Sequence, residues 1–374
     1  MKIDLLITEI HTGGAERCCA QLAIYLKEKG HVVRVVSIAP APSGATEELL
    51  WQKLQAHSVD VHFLNASKSR QLPWARHKLL RLIQQSKPDI AQSFLWHANV
   101  LGAWCYPKHR VPVVAGSRVA EPRRWRSSLA WTWRDRVEKV VCVSQEVAQW
   151  SRDSEGIAQD KLVVIPNGIE LPVDWKGSGI DQASEGKSEK ILLFVGRLEE
   201  QKGIDVLLQK ATSILQALPE HQLVLIGHGS WSEAWQRWVE QSPLGSRVRL
   251  LGRRADVLDW MRRSSVLLLP TRYEGMPNVV LEAMAVGLPV VSTRVEGIEH
   301  LFGDTCREQS VGRGDWDAWE KRVIELSEDP ESQQRLGRAN RDRAERFFNL
   351  ESQMEKYELL YLGILGKISR DSNA

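Results

Sequence analysis

Short apolar runs alternate with helix-like stretches along most of the chain, in two series separated by a stretch poor in apolar residues. In the first series the runs cover residues 3–8, 32–38, 61–63, 90–94, 111–115, 140–143 and 162–165. In the second they cover 191–195, 223–226, 248–251, 266–269 and 290–292. Runs this short and uniformly apolar read as strands, and alternation with helices argues a parallel sheet with crossovers. Residues 13–29 read as the first crossover helix, stopped by Gly30. Two series predict two α/β domains, 1–170 and 191–345, joined by a flexible linker at 171–190. The chain is helical and charged from about Glu331 to Ile368, with an apolar stripe of Tyr357, Leu360, Tyr361 and Ile364, and residues 346–374 read as a helical tail beyond the second domain.

The length agrees, because 374 residues exceed one typical core and suit two domains of roughly 150–200 residues each. With 43% hydrophobic and 26% charged residues, the composition is that of an ordinary soluble globular chain. No apolar stretch approaches the roughly 18 residues of a membrane-spanning helix. The first eight residues read as a short strand without a cleavage signature, which argues against secretion. Cys18, Cys19, Cys105, Cys142 and Cys306 show no paired metal-ligand spacing and fit reduced thiols of a cytoplasmic protein. Residues 1–170 hold 23 Lys/Arg against 16 Asp/Glu, whereas the remainder holds 27 against 31. A basic first half suits an anionic acceptor or an anionic membrane surface, or is scattered surface charge.

The most specific stretch is Tyr273-Glu274-Gly275-Met276-Pro277-Asn278-Val279-Val280-Leu281-Glu282-Ala283-Met284-Ala285. It follows the run at 266–269 and precedes Gly287 and the run at 290–292, so it occupies a strand–loop–helix crossover at a strand's carboxyl end. Open α/β sheets bind ligands there. Pro277 fits a first helical turn, where the amide it lacks has no intrahelical partner. The amides of Asn278 and Val279 then point from a helix N-terminus, which receives a phosphate readily. Glu282, one turn in, reaches hydroxyls beside that phosphate, and Glu274 on the loop rim reaches hydroxyls on its other side. Such a pocket suits a sugar–diphosphate–nucleoside.

Three further segments support this window. Phe194-Val195-Gly196-Arg197-Leu198-Glu199-Glu200-Gln201-Lys202-Gly203 follows a buried strand, and Arg197 and Lys202 offer two cations to a diphosphate. Thr12-Gly13-Gly14-Ala15-Glu16-Arg17 opens the first helix, where Gly13 and Gly14 permit close backbone approach or simply make a tight turn. Pro166-Asn167-Gly168-Ile169 forms a turn before the linker. With the glutamate window, these four motifs resemble, in order and over most of the chain, retaining glycosyltransferases of family 4, the bacterial-type group 1 enzymes.

The resemblance implies a GT-B architecture, two Rossmann-like parallel-sheet domains facing across a cleft, with the tail crossing back to the first domain. It implies transfer of a sugar from a nucleotide diphosphate sugar to an acceptor hydroxyl with retention, the leaving diphosphate helping to accept the acceptor's proton. The implied setting is cell-surface polysaccharide or glycolipid synthesis. The implied donor-binding set is Gly13, Gly14, Gly196, Arg197, Lys202, Arg253, Glu274, Gly275, Met276, Pro277, Asn278, Val279 and Glu282. Arg253, in Leu251-Gly252-Arg253, falls where the family contacts the nucleobase. His97, just past the fourth run, matches a family histidine beside the transferred sugar, with Asn99 as a support. Together with Glu274, Arg197 and Lys202 it makes the implied catalytic group. No resident cofactor is implied, and no Asp-x-Asp motif is read as a metal holder, so cations and helix amides replace a metal. Other GT-B reaction classes and a non-catalytic nucleotide-sugar binder remain the alternatives.

Residues 118–136 interleave Arg118, Arg123, Arg124, Arg126, Arg134 and Arg136 with Trp125, Trp131 and Trp133. This is either a buried-plus-solvated helix or a seat for a lipid-linked or anionic acceptor at the inner face of the membrane. No nucleic-acid recognition motif accompanies it.

Overall fold

A computed structural model describes residues 1–11, 13–44, 48–120, 127–171 and 190–371. Most of the expected linker, and Arg123, Arg124, Trp125 and Arg126, lie outside the described residues. The chain divides into two compact units, one made of Met1–Asn167 with Glu351–Ala374, the other of Gly168–Leu350.

The first unit carries strands β1 (Lys2–Ile7), β2 (Val32–Ser37), β3 (Asp60–Phe63), β4 (Ile90–Phe94), β5 (Val113–Ser117), β6 (Lys139–Cys142) and β7 (Leu162–Val164). All neighbours pair in parallel in the order β3-β2-β1-β4-β5-β6-β7. Ile3, Leu5, Leu6, Val35, Val36 and Val140 are almost fully buried, as expected of strands covered on both faces. Two charges interrupt the pattern. Asp4 and Arg34 are register partners on β1 and β2, and Arg34 Nε donates to Asp4 Oδ1 at 3.0 Å. Tyr106 Oη donates to the same carboxylate at 3.0 Å. Burial raises the Asp4 pKa even with Arg34 beside it.

Strand β5 starts two residues later than the apolar run predicts. Pro112 has no amide to offer the ladder, so its carbonyl accepts from Ala91 and regular pairing begins at Val113. The charged helical region at the end of the chain is two helices. Helix Pro330–Phe347 belongs to the second unit, and helix Leu350–Asp371 follows after a break. At the break Ile169 takes over the backbone: its amide donates to Phe348 O at 2.7 Å, and Leu350 donates to Ile169 O at 3.2 Å. The Leu350–Asp371 helix packs on the first unit through buried Met354, Tyr357, Tyr361 and Ile364. Tyr361 Oη donates to Gln92 on β4, and His31 Nε2 lies 2.7 Å from Glu358.

The second unit carries β8 (Ile191–Val195), β9 (Gln222–Ile226), β10 (Val248–Leu250), β11 (Val266–Leu269), β12 (Val290–Thr293) and β13 (Ser310–Val311), in the parallel order β10-β9-β8-β11-β12-β13. Its core gathers Leu192, Phe194, Leu225 and Leu268 from the sheet with Trp235 and Trp319 from helices. Trp319 Nε1 donates to Val291 O at 3.1 Å, so even the indole is satisfied on the sheet. Strand β13 escaped the sequence reading because two residues, one of them serine, make no apolar run. Among the described residues, no helix is long and apolar enough to cross a membrane.

Candidate active site

Each sheet reverses its strand order once, between β1 and β4 in one unit and between β8 and β11 in the other. Crevices outside the carboxyl ends of such strand pairs are where doubly wound sheets hold ligands. Apart from Arg253, which follows the edge strand β10, the sequence-predicted residues fall at these two places.

In the second unit the chain leaving β8 is pressed against the chain leaving β11. Gly203 has φ +68, and a Cβ there would stand 1.6 Å from Pro270 O, so only glycine permits the approach. Gln201 O accepts from Arg272 N at 2.8 Å and from Thr271 Oγ1 at 3.0 Å, while Gln201 Nε2 donates to Tyr273 O at 3.1 Å. Arg272 grips Asp205 with two hydrogen bonds of 2.7 and 2.6 Å. Partial burial opposes ionisation of Asp205, but Arg272 outweighs it and holds the carboxyl below its usual pKa.

The outcome is a salt bridge: Lys202 Nζ donates to Glu274 Oε1 at 2.5 Å, and Thr271 Oγ1 lies 3.0 Å from the same oxygen, its one hydrogen shared between Glu274 and Gln201 O. Glu274 is therefore buried and clamped rather than placed on an open rim. Lys202 and Arg197 do not act alike. Lys202 is half-buried against Glu274, whereas Arg197 is exposed with Nη2 donating to Gln201 Oε1 at 2.8 Å. Gly196 makes only ordinary contacts, its nearest neighbours being Phe194 and Lys202. The loop after β8 is tied to the loop after β9 by Glu199, which accepts from Ser230 N and Oγ and is thereby held below the usual carboxylate range. Arg253, after β10, is exposed and next to Gly252, whose φ is +63.

Helix Asn278–Ala285 follows the Glu274-Gly275-Met276 turn with Pro277 between them. Pro277 stands one residue before the helix, in an extended conformation (φ −72, ψ 113), and not in its first turn. Its carbonyl accepts from Val280 N at 3.0 Å, and it has no side-chain group to cap the amides of Asn278 and Val279. Glu282 is buried on this helix. The loop after β12, beyond the last run read from the sequence, supports the turn from behind. Glu296 Oε2 accepts from Glu274 N at 3.3 Å. Thr271 and Glu296 are thus parts of the site that sequence reading missed. The one signal for the latter is Gly297, a turn residue just past a strand.

In the first unit, Gly13 caps helix Gly14–Glu28 with extended backbone. A Cβ on Gly13 would lie 2.2 Å from Glu16 Oε2, so the missing side chain already makes room for Glu16. The buried Glu16 carboxylate sits over the helix start, as a first-turn acid complements the dipole. His97 lies in the first turn of helix Trp96–Cys105, half-buried, its ring edge-on to Trp96 with centroids 5.2 Å apart. The residue before that helix, Leu95, has φ +71 and ψ 162, a conformation that is essentially restricted to glycine. Asn99 faces the sheet: its side chain bonds Ser93 Oγ at 2.8 Å and Gly116 O at 2.9 Å, and so braces the helix against β4 and β5.

Of the basic, Trp-rich segment, Trp133 is core, 1% exposed, while Trp131 is 63% exposed. Arg118 donates to Asn167 at 2.5 Å, Arg134 to Glu155 O at 2.9 Å, and Arg136 stacks over Trp104. One Asp-x-Asp triplet does occur, Asp315-Trp316-Asp317, and it serves a helix start. Asp315 accepts from Ala318 N at 3.1 Å as N-cap, and Asp317 pairs with Lys210.

Two doubly wound parallel sheets, one ending in a Lys–Glu crevice beside a helix N-terminus, define the GT-B class of fold. Residues 180–343 match the family described as Glycosyl transferases group 1, and residues 12–172 match Glycosyltransferase Family 4. The chain belongs to these group 1, family 4 glycosyltransferases. It is 24% identical to the Escherichia coli UDP-Gal:alpha-D-GlcNAc-diphosphoundecaprenol alpha-1,3-galactosyltransferase, over 77% of this chain and 78% of that one. It is 27% identical to the phosphatidyl-myo-inositol mannosyltransferase of Mycobacterium tuberculosis, over 78% and 77%. The match to an uncharacterized glycosyltransferase of Methanocaldococcus jannaschii, 27% identical over 56% of this chain, spans only about half of that relative, 55%. Among solved structures, Anabaena HepE in complex with UDP and glucose superposes with a TM-score of 0.80 at 19% identity, covering 97% of this chain and all 100% of the other. Sucrose-phosphate synthase of Thermosynechococcus elongatus gives 0.77 at 21% identity, covering 98% and 100%.

Proposed function

We propose that this protein transfers a sugar from a nucleotide diphosphate sugar to an acceptor hydroxyl with retention, without a metal. The observation that carries the reading is the buried Lys202–Glu274 pair at the β8/β11 crevice, directly before a helix N-terminus. In this reading Glu274 grips the sugar and Glu282 the ribose. The backbone of Gly275 and Met276 and the amides of Asn278 and Val279 cradle the diphosphate. Arg197 and Lys202 offset its charge as it leaves. Gly196 leaves room for the phosphates, and Arg253 flanks the nucleobase. The bond from the anomeric carbon to the diphosphate breaks, a bond to the acceptor oxygen forms, and the acceptor's proton passes to the departing diphosphate. His97 donates to a sugar hydroxyl and orients the reacting centre, near the glycine turn at Gly13 and Gly14.

The named acceptors of the two curated relatives, a diphosphoundecaprenol-linked sugar and a phosphatidylinositol, favour a lipid-linked acceptor in glycolipid or cell-surface polysaccharide synthesis. The basic first half and exposed Trp131 favour cytoplasmic action at the inner membrane face.

The test is a screen of nucleotide sugars for thermal stabilisation, followed by an assay for nucleoside diphosphate release with and without lipid-linked acceptor. Acceptor-dependent release, abolished in Arg197→Ala and His97→Ala proteins of unchanged melting temperature, is expected. Release that ignores the acceptor, or wild-type rates in both variants, would overturn the assignment. Trp131→Ala should weaken partition to anionic liposomes, and unchanged partition removes the membrane contact from the reading.

A further inference from the structure

Glu274 is held twice, by its carboxylate and by its main chain, and the second hold comes from a strand that the donor motifs do not include. β12 lies beside β11, and Thr293 at its end donates to Thr271 O. The chain then turns through Val295-Glu296-Gly297. Gly297 has φ +78, and a Cβ there would fall 2.5 Å from Gly275 O and 2.9 Å from Met276 Cα. The β12 turn is therefore in backbone contact with the turn that carries the donor-gripping residues. At that contact Glu296 presents both oxygens: Oε2 accepts from Glu274 N at 3.3 Å, and Oε1 pairs with Arg313 Nη2 at 2.5 Å. The Glu296 side chain is 16% exposed, and Arg313 is 49% exposed.

A carboxylate this close to an intended anion site would repel a diphosphate if it stood alone. Arg313 balances its charge, as Lys202 balances Glu274, so the Glu296 oxygen facing Glu274 serves as an acceptor without adding net charge to the site. We infer that Glu296 is a positioning residue: it fixes the Glu274-Gly275-Met276 main chain so that the Glu274 carboxylate meets the donor's sugar in reacting geometry. This rests on the transferase reading above. A backbone released at Glu274 keeps its nucleotide contacts on the neighbouring helix and loses alignment at the sugar, where small displacements are expensive in rate.

Glu296→Gln retains an acceptor oxygen for the Glu274 amide, and Glu296→Ala removes it. In Glu296→Ala, kcat should fall by about tenfold or more, and affinity for nucleotide sugar should fall relative to affinity for the bare nucleoside diphosphate. Amide hydrogen exchange at Glu274–Met276 should quicken, while Glu296→Gln restores all three values toward wild type. Equal losses in the two variants, or faster exchange with wild-type kcat and wild-type sugar-dependent affinity, would overturn the inference. If the wild-type protein binds nucleotide sugars but transfers none, the transferase reading fails by itself. The sugar-dependent part of the affinity and the exchange rates then still judge Glu296: both must change in Glu296→Ala, or the positioning role is rejected.

Discussion

Lys202 Nζ lies 2.5 Å from Glu274 Oε1, and the two side chains are only 15% and 7% exposed. They come from loops after adjacent parallel strands, 72 residues apart in sequence. Charges withdrawn from water this far depend on each other, because losing one partner leaves the other buried and uncompensated.

Lys202→Met should therefore destabilise the second unit by roughly 3 kcal/mol, and Glu274→Gln by a similar amount. The double variant should recover a large part of that loss, because neither charge is stranded. Urea denaturation of the four proteins in a double-mutant cycle measures this, and additive losses would show that the pair is not coupled.

Gly203→Ala places a methyl group on Pro270 O in a left-handed backbone, so a loss of at least roughly 2 kcal/mol is expected. Gly196→Ala is the control. Its nearest contacts, 3.7 Å to Phe194 and 3.8 Å to Lys202, are ordinary, so stability should change by less than about 1 kcal/mol. Equal midpoints in urea for the two variants would refute the close approach at Gly203.

Leu95 separates β4 from the helix that carries His97. If its backbone is strained as φ +71 and ψ 162 indicate, Leu95→Gly and Leu95→Ala should differ although both remove the same packing. The glycine variant should be the more stable by about 1 kcal/mol or more, against the usual order of the two residues. Calorimetric melting of the pair decides it, and a more stable alanine variant would mean that Leu95 is relaxed.

Glu155 has a buried carboxyl in the first unit, with no hydrogen-bond partner for Oε2 among the described residues. Burial pushes its pKa from 4.5 up to about 7, with a smaller opposing contribution from Ser151. The folded state then holds the proton more tightly than the unfolded chain. Its contribution is full below pH 4.5 and is lost as pH rises through about 7. Glu155→Gln should melt higher than wild type at pH 8, by up to about 3 kcal/mol in stability. The advantage should vanish near pH 4. A difference independent of pH would contradict the buried, protonated carboxyl.

Much of this was legible in the sequence, because buried parallel strands are nearly pure apolar runs. Residues 90–94, 191–195 and 266–269 coincide with β4, β8 and β11, three of the four strands that border the two crevices, and the run at 3–8 is one residue off β1. The glutamate window was legible for the same reason, since its place after β11 follows from the runs on either side. What stayed hidden depends on partners distant in sequence. The Asp4–Arg34 pair needs the β1/β2 register, and the clamp on Glu274 needs Gly203 and Gly297 folded against other loops. The helix break at Phe348 needs Ile169 as a competing backbone partner. Leu95 carries no compositional signal, because its conformation is imposed by the turn and not preferred by the residue.

The last helix, Leu350–Asp371, belongs to the first unit, so that unit is discontinuous in the gene while the second is continuous. Without that helix the second unit keeps its core residues while the first lacks a wall. Gln92 would lose Tyr361, and Tyr25 and His31 would lose Glu358. A cut near residue 350 would therefore open a flank on the first unit while leaving every residue of the second in place.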